Sequence, residues 1–228
     1  MTQHLGLHAI HFAAAIIDLD GTMIDTVGDF EVALALALAD MGQPPVSRAF
    51  ISLTVGKGSE YLIRRSLAEV GAPESLYEKT WQRYQHHYLA VNGQHSAVYP
   101  GVAEGLQALL ERGLRLACIT NKPNAFARPL LEAKGLSGFF DHAFGGDTFP
   151  HKKPHPMPLL KACEALGTQP AQTLVVGDSS NDVAAARAAG CPVVLVSYGY
   201  NHGEPVASAK PDAIVDRIDH IPALLRGS

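Results

Sequence analysis

Short apolar runs alternate with stretches of helical spacing along most of the chain. Ala13 to Ile17 ends at Asp18, and Leu114 to Ile119 ends at Thr120. Thr173 to Val176 ends at Gly177-Asp178, and Pro192 to Val196 ends at Ser197. His142 to Phe144 is a weaker run of the same kind. Runs that are apolar on both faces predict buried parallel strands. Between them, Val102 to Arg112, Ala125 to Lys134, Met157 to Leu166 and Asp182 to Ala189 repeat their apolar positions as helices do. Gly113, Gly135, Gly167 and Gly190 follow these stretches, and glycine is the usual helix stop. The alternation predicts an α/β domain with a parallel sheet.

One region breaks the pattern. From about Val27 to Asn92 there is no strand-like run. Phe30 to Met41, Gly58 to Val70 and Ser75 to Leu89 read as amphipathic helices. Tyr99-Pro100-Gly101 is a turn-forming junction where the chain can return to the sheet. The expected organisation is a discontinuous α/β core of residues 1–26 and 96–228, with an all-helical unit of residues 27–95 inserted after the first strand.

Composition narrows the class. The chain has 228 residues, 47% hydrophobic and 18% charged, enough to bury a substantial core. The formal net charge is -4 with no basic block, which gives no reason to expect a nucleic-acid or membrane partner. Cys118, Cys163 and Cys191 are odd in number and form no C-x-x-C pair. They read as reduced, partly buried thiols of a cytoplasmic protein. The apolar run from Phe12 stops at Asp18, too short for a signal peptide or a membrane span.

The polar residues gather where the strands stop. Asp18-Leu19-Asp20-Gly21-Thr22 follows the first run, Thr120-Asn121-Lys122 the second, and Gly177-Asp178-Ser179-Ser180-Asn181-Asp182 a third. Open α/β sheets bind ligands beyond the carboxyl ends of their strands. Asp18 and Asp20 are two apart, so extended backbone turns both carboxylates to one side, where they repel. A bound cation removes that cost, and Asp178 completes an oxygen-rich site suited to Mg2+. Thr120 and Asn121 can donate to phosphate oxygens, as can the backbone N–H groups of the turn that follows. Lys153 lies in Lys152-Lys153-Pro154-His155-Pro156, where flanking prolines stiffen the loop and fix its direction. Each segment alone can be a turn, a helix cap or a solvated loop. Their joint order, three of them directly after strand-like runs, points to chemistry.

These residues resemble the four motifs of the haloacid dehalogenase-like superfamily of phosphatases. The motifs read here as Asp18-Leu19-Asp20-Gly21-Thr22-Met23-Ile24-Asp25, Ile119-Thr120-Asn121-Lys122, Lys153-Pro154-His155-Pro156 and Gly177 to Asp182. The resemblance covers essentially the whole chain and implies a Rossmann-like core with a type-1 helical cap. It implies Asp18 as nucleophile, passing through an aspartyl-phosphate, and Asp20 as acid and then base. It implies magnesium held by the carboxylates of Asp18 and Asp178 and the backbone carbonyl of Asp20. Asp182 would hold a metal-bound water or orient Lys153, and Lys153 would ease the approach of one anion to another. An aspartate at position 20 favours phosphate-ester transfer over dehalogenation or phosphonate cleavage.

Val55-Gly56-Lys57-Gly58 and the stretch from Asn181 to Asn201 are similar to the phosphoglycolate phosphatase group. That similarity implies a small phosphate ester as substrate, 2-phosphoglycolate first, with Gly56, Lys57 and Gly58 as the cap's contribution. A sugar phosphate, a nucleotide or a sugar-phosphate mutase reaction is the alternative on the same core. Lys57 stands where the group has asparagine; it can grip a substrate carboxylate or face solvent.

Overall fold

The computed structural model describes residues 6–225. The expected core segments reach past these at 1–5 and 226–228, which lie outside the described residues. The strands are β1 (Ala14–Ile17), β2 (Ile24–Asp25), β3 (Ala97–Val98), β4 (Arg115–Ile119), β5 (His142–Phe144), β6 (Thr173–Gly177), β7 (Val193–Val196) and β8 (Ala213–Val215). The helices are α1 (Val27–Asp40), α2 (Arg48–Thr54), α3 (Ser59–Glu69), α4 (Tyr77–Val91), α5 (Val102–Glu111), α6 (Asn124–Ala133), α7 (Met157–Leu166), α8 (Ser180–Ala189) and α9 (Ile221–Leu224).

Six strands form a parallel sheet in the order β5-β4-β1-β6-β7-β8. β1 is central, paired on both sides and buried at all four positions, which is why its sequence is apolar without alternation. Successive residues still serve opposite faces. Ile17, Cys118 and Val176 pack with Leu106 of α5 and Leu130 of α6, while Ile16, Ala117 and Val175 pack with Leu159 of α7 and Ala186 of α8. Ile17 lies in register with Cys118 on one side and Val176 on the other. The residues after β1, β4 and β6 therefore emerge at one edge, side by side.

The chain leaves this edge through β2 and returns through β3, an antiparallel pair of two residues each. Between them α1 to α4 build a separate apolar cluster. Phe30, Leu34 and Leu38 of α1 pack on Tyr84 and Tyr88 of α4, with Phe126 of α6 reaching in from the sheet domain. α2, α9 and β8, like the two-residue β2 and β3, have no counterpart among the elements expected above. α2 is a single short helix burying only Ile51 and Thr54, too little for a periodic signal. β8 is a three-residue strand at the sheet edge.

Candidate active site

Asp18 continues the line of β1 by one residue, its N–H still donating to the Val176 carbonyl. Its Oδ1 accepts from the Leu19 N–H at 2.8 Å and lies 2.9 Å from Lys153 Nζ. The same ammonium donates to Asp182 Oδ1 at 2.6 Å and to the Ile119 carbonyl at 3.1 Å. Three donors meet three acceptors, and Lys153 is buried. Burial opposes its charge, but the carboxylates of Asp18 and Asp182 outweigh this and hold it above the ordinary lysine range. Asp182 is thus in direct contact with Lys153. Its Oδ2 meanwhile accepts from the Ser179 N–H and hydroxyl at 3.1 and 2.8 Å, forming the capping box that starts α8.

Asp178 completes a group with Asp18 and Asp182 in which one oxygen of each lies within 4.8 Å of the others. Asp178 Oδ2 accepts the Tyr200 N–H at 2.5 Å. Its carboxylate is cradled by two glycines: a Cβ on Gly21 would meet Oδ2 at 2.3 Å, and one on Gly199 would meet the Asp178 Cβ at 2.1 Å. Burial raises the Asp178 carboxyl well above its ordinary range, and the charges of Asp182 and Asp18 add to the rise. Burial likewise pushes Asp18 up to about 7, against the pull of Lys153 and helped by Asp182. Three carboxylates thus share one ammonium. An oxygen-only group short of positive charge fits a hard divalent cation that keeps some of its waters.

Asp20 departs from the spacing argument. Its carboxylate is not part of that group; it turns to Lys122, whose Nζ donates to Oδ1 at 2.9 Å. Asp20 still bridges to Ile24, and the chain turns only after it, at Gly21 with φ +79°; Asp18 and Asp20 line the same cavity. Lys122 is a cavity-lining side chain to which the sequence reading gave no role. Its side chain is 1% exposed. Its ammonium also donates to Tyr88 Oη at 2.5 Å and lies 4.4 Å from the centre of the Phe30 ring. The only sequence signal was position, directly after Thr120-Asn121 at a strand end.

Thr120 and Asn121 are buried at the same edge. Thr120 Oγ1 accepts from the Lys122 N–H at 3.2 Å, which leaves its own hydrogen free to donate. The Asn121 amide is committed differently from the expectation: Nδ2 donates to the carbonyls of Lys153 at 2.8 Å and Gly56 at 2.9 Å. Asn181 Nδ2 donates to the same Gly56 carbonyl at 3.3 Å. The α2–α3 loop is thus held over the sheet edge by two amides. Gly56 and Gly58 have φ of +103° and +94°, conformations that glycine adopts without strain. Lys57 between them is exposed, with its ammonium 5.2 Å from the Tyr61 ring centre. It lines an outer groove with His151, Lys152 and His155. Gly56 and Gly58, with Asp18, Asp20, Phe30, Leu62, Thr120 and Lys122, line the enclosed cavity. That cavity leaves about 20 Å³ for water centres, room for a water or two and not for a phosphate ester.

The arrangement offers a carboxylate neutralised by an ammonium, a second carboxylate beside it, hydroxyl and backbone donors, and a seat for a cation. Residues 15–196 match the profile of the haloacid dehalogenase-like hydrolases. The chain is 45% identical over 205 residues to a phosphoglycolate phosphatase of Thiobacillus denitrificans, covering 89% of this chain and 90% of that one. It is 44% identical over 218 residues to a phosphoglycolate phosphatase of Nitrosospira multiformis, covering 94% and 96%. A crystal structure described as a predicted phosphoglycolate phosphatase from Haemophilus somnus superposes with a TM-score of 0.89 at 34% identity, covering 94% of this chain and 98% of that one.

Proposed function

The chain belongs to the haloacid dehalogenase-like hydrolases, and from that premise we propose that it is a phosphatase of small phosphate monoesters that converts 2-phosphoglycolate to glycolate and phosphate. The observation that carries the reading is the contact of 2.9 Å between Lys153 Nζ and Asp18 Oδ1 at the end of β1. The ammonium removes part of the repulsion between an attacking carboxylate and a phosphate dianion.

Asp18 attacks phosphorus in line and the P–O bond to the alcohol breaks. Asp20 gives its proton to the departing oxygen, releasing glycolate. Asp20, now ionised, takes a proton from the water that attacks the aspartyl-phosphate, which frees phosphate and restores Asp18. Lys153 stays charged throughout, held by Asp182. Thr120 and the backbone N–H groups of its turn hold the phosphoryl oxygens; the Asn121 amide, given to Gly56 and Lys153, ties the loop to them. Asp18, Asp178 and the Asp20 carbonyl would hold Mg2+, which supplies charge neutralisation of the transferring phosphoryl group.

Residues 27–95 act as a cap over a core of residues 1–26 and 96–228. Because the cavity has room only for water, the cap must swing away to admit substrate, turning on the linkers near Thr26 to Gly28 and Ser96 to Gly101. The phosphoglycolate phosphatase relatives support a small-molecule substrate.

Phosphate release from a panel of esters, with and without magnesium, tests this reading. Phosphoglycolate should rank first in kcat/KM, and Asp18→Asn should abolish turnover. Clear turnover by the purified variant sinks the nucleophile assignment; preference for a sugar phosphate or a nucleotide sinks the substrate.

A further inference from the structure

Two buried lysines serve three carboxylates, and they are held differently. Lys153 has only sheet-domain partners: Asp18, Asp182 and the Ile119 carbonyl. Lys122 has one sheet-domain partner, Asp20, while Tyr88 and Phe30 come from α4 and α1 of the helical unit. Among the described residues lining the enclosed cavity, Lys122 is the sole cation. The rest of the wall opposite the sheet edge is uncharged: Phe30, Val55, Ser59 and Leu62, with Gly56 and Gly58. Lys57 and Lys152 line the outer groove instead, as does Lys153.

The proposed substrate carries a second anion, and its carboxylate is separated from the leaving oxygen by one methylene. A carboxylate drawn into an enclosed cavity is strongly disfavoured unless a cation meets it. Asp20 is the residue assigned to the leaving oxygen, and Lys122 Nζ is 2.9 Å from Asp20 Oδ1. The cation therefore stands on the leaving-group side, one short bond from where that oxygen must lie. We infer that Lys122 is the specificity-determining residue: its ammonium receives the carboxylate of the substrate, with the Tyr88 hydroxyl and the Phe30 ring holding it from the cap. Without such a substrate the ammonium rests on Asp20. When the carboxylate arrives, Lys122 exchanges partners without losing its proton, and Asp20, released from the ion pair, takes a proton from solvent and turns it to the leaving oxygen. An ester lacking the carboxylate keeps Asp20 tied to Lys122. The inference rests on the phosphatase reading above and names the group that reads its substrate.

The test is the ratio of kcat/KM for 2-phosphoglycolate to that for 2-phosphoglycolamide, its uncharged counterpart, with the full chain and magnesium. A charge-assisted bond of this kind should give the unaltered protein a ratio of about 10- to 100-fold. In Lys122→Met both values should fall and the ratio should collapse to within about threefold, with the KM for phosphoglycolate carrying most of the change. Tyr88→Phe, which keeps the ring and removes the hydroxyl, should lower the ratio about threefold by the same accounting; it serves if the lysine variant does not fold by circular dichroism. Equal handling of the two esters by the unaltered protein, or an undiminished ratio in the folded variants, overturns the inference and leaves the phosphatase standing. No turnover of either ester by the unaltered protein overturns the phosphatase reading itself, and this inference with it.

Discussion

A methyl group on Gly199 would lie 2.1 Å from the Asp178 Cβ and 2.4 Å from its Oδ2. The Cβ is fixed to the strand-end backbone, so the Asp178 backbone or the loop at Gly199 must shift, and the carboxylate shifts with it. Gly199→Ala should raise the magnesium concentration for half-maximal activity, with folding checked by circular dichroism. The expected size is about 10- to 100-fold, as for other groups that aim a metal ligand. A titration of activity against magnesium checks this, and an unchanged midpoint would remove Asp178 from the cation site. Lys153 differs because its charge is shared by two buried carboxylates. Lys153→Met leaves both without their cation, so it should cost about 3–5 kcal/mol of stability as well as turnover. Urea denaturation measures the first and phosphate release the second; loss of activity at unchanged stability would contradict the pairing.

The linkers of the helical unit are as closely fitted. A Cβ on Gly28, at the start of α1, would meet the His95 carbonyl oxygen at 2.1 Å. Next to it, the buried Asp29 accepts from the N–H groups of Gly93 and His95 at 2.8 and 2.7 Å. Tyr200 adds a third tie: its hydroxyl donates to Asp25 and accepts from the Thr26 N–H at 3.0 Å, while its own N–H reaches Asp178. Gly28→Ala should push the two linkers apart, and hydrogen exchange at Gly93 and His95 should accelerate while that of β1 stays slow. Uniform acceleration would mean global destabilisation instead. None of these ties was legible in the sequence, because their partners are distant in the chain: Asp29 with His95, Tyr200 with Thr26, Lys122 with Tyr88. What was legible had local causes. β1, β4, β6 and β7 are buried on both faces and read as apolar runs, and helices such as α5 and α7 kept their 3.6-residue period. Asp18, Asp178 and Lys153 stood out because strand ends and a proline-flanked loop mark them. Asp20 lines the same cavity as Asp18, but the spacing of the two says nothing of Lys122, the distant partner that its carboxylate meets.

At the scale of the whole molecule, the site opposes the fold. Asp18 rises from an ordinary 3.8 to about 7, chiefly through burial. A carboxyl raised in the folded state stabilises most when protonated, so its contribution is complete below the unfolded value and is lost as pH rises through the folded one. Without magnesium, stability should therefore increase as the pH is lowered through about 7 toward the unfolded value. Bound magnesium reverses the sign. It requires ionised ligands, so loading releases protons and the carboxylates then favour the folded state at higher pH. Above about 7, a magnesium concentration a hundred times its dissociation constant should add about 2.7 kcal/mol to the unfolding free energy. Urea melts with magnesium and with a chelator, at pH values on either side of about 7, check both slopes. Asp178→Asn supplies the control: removing one buried carboxylate should stabilise the chelated protein and erase the gain from magnesium. Identical melts with and without magnesium at the higher pH would mean that the carboxylates are balanced within the protein, and the case for a cation at the end of β1 would fall.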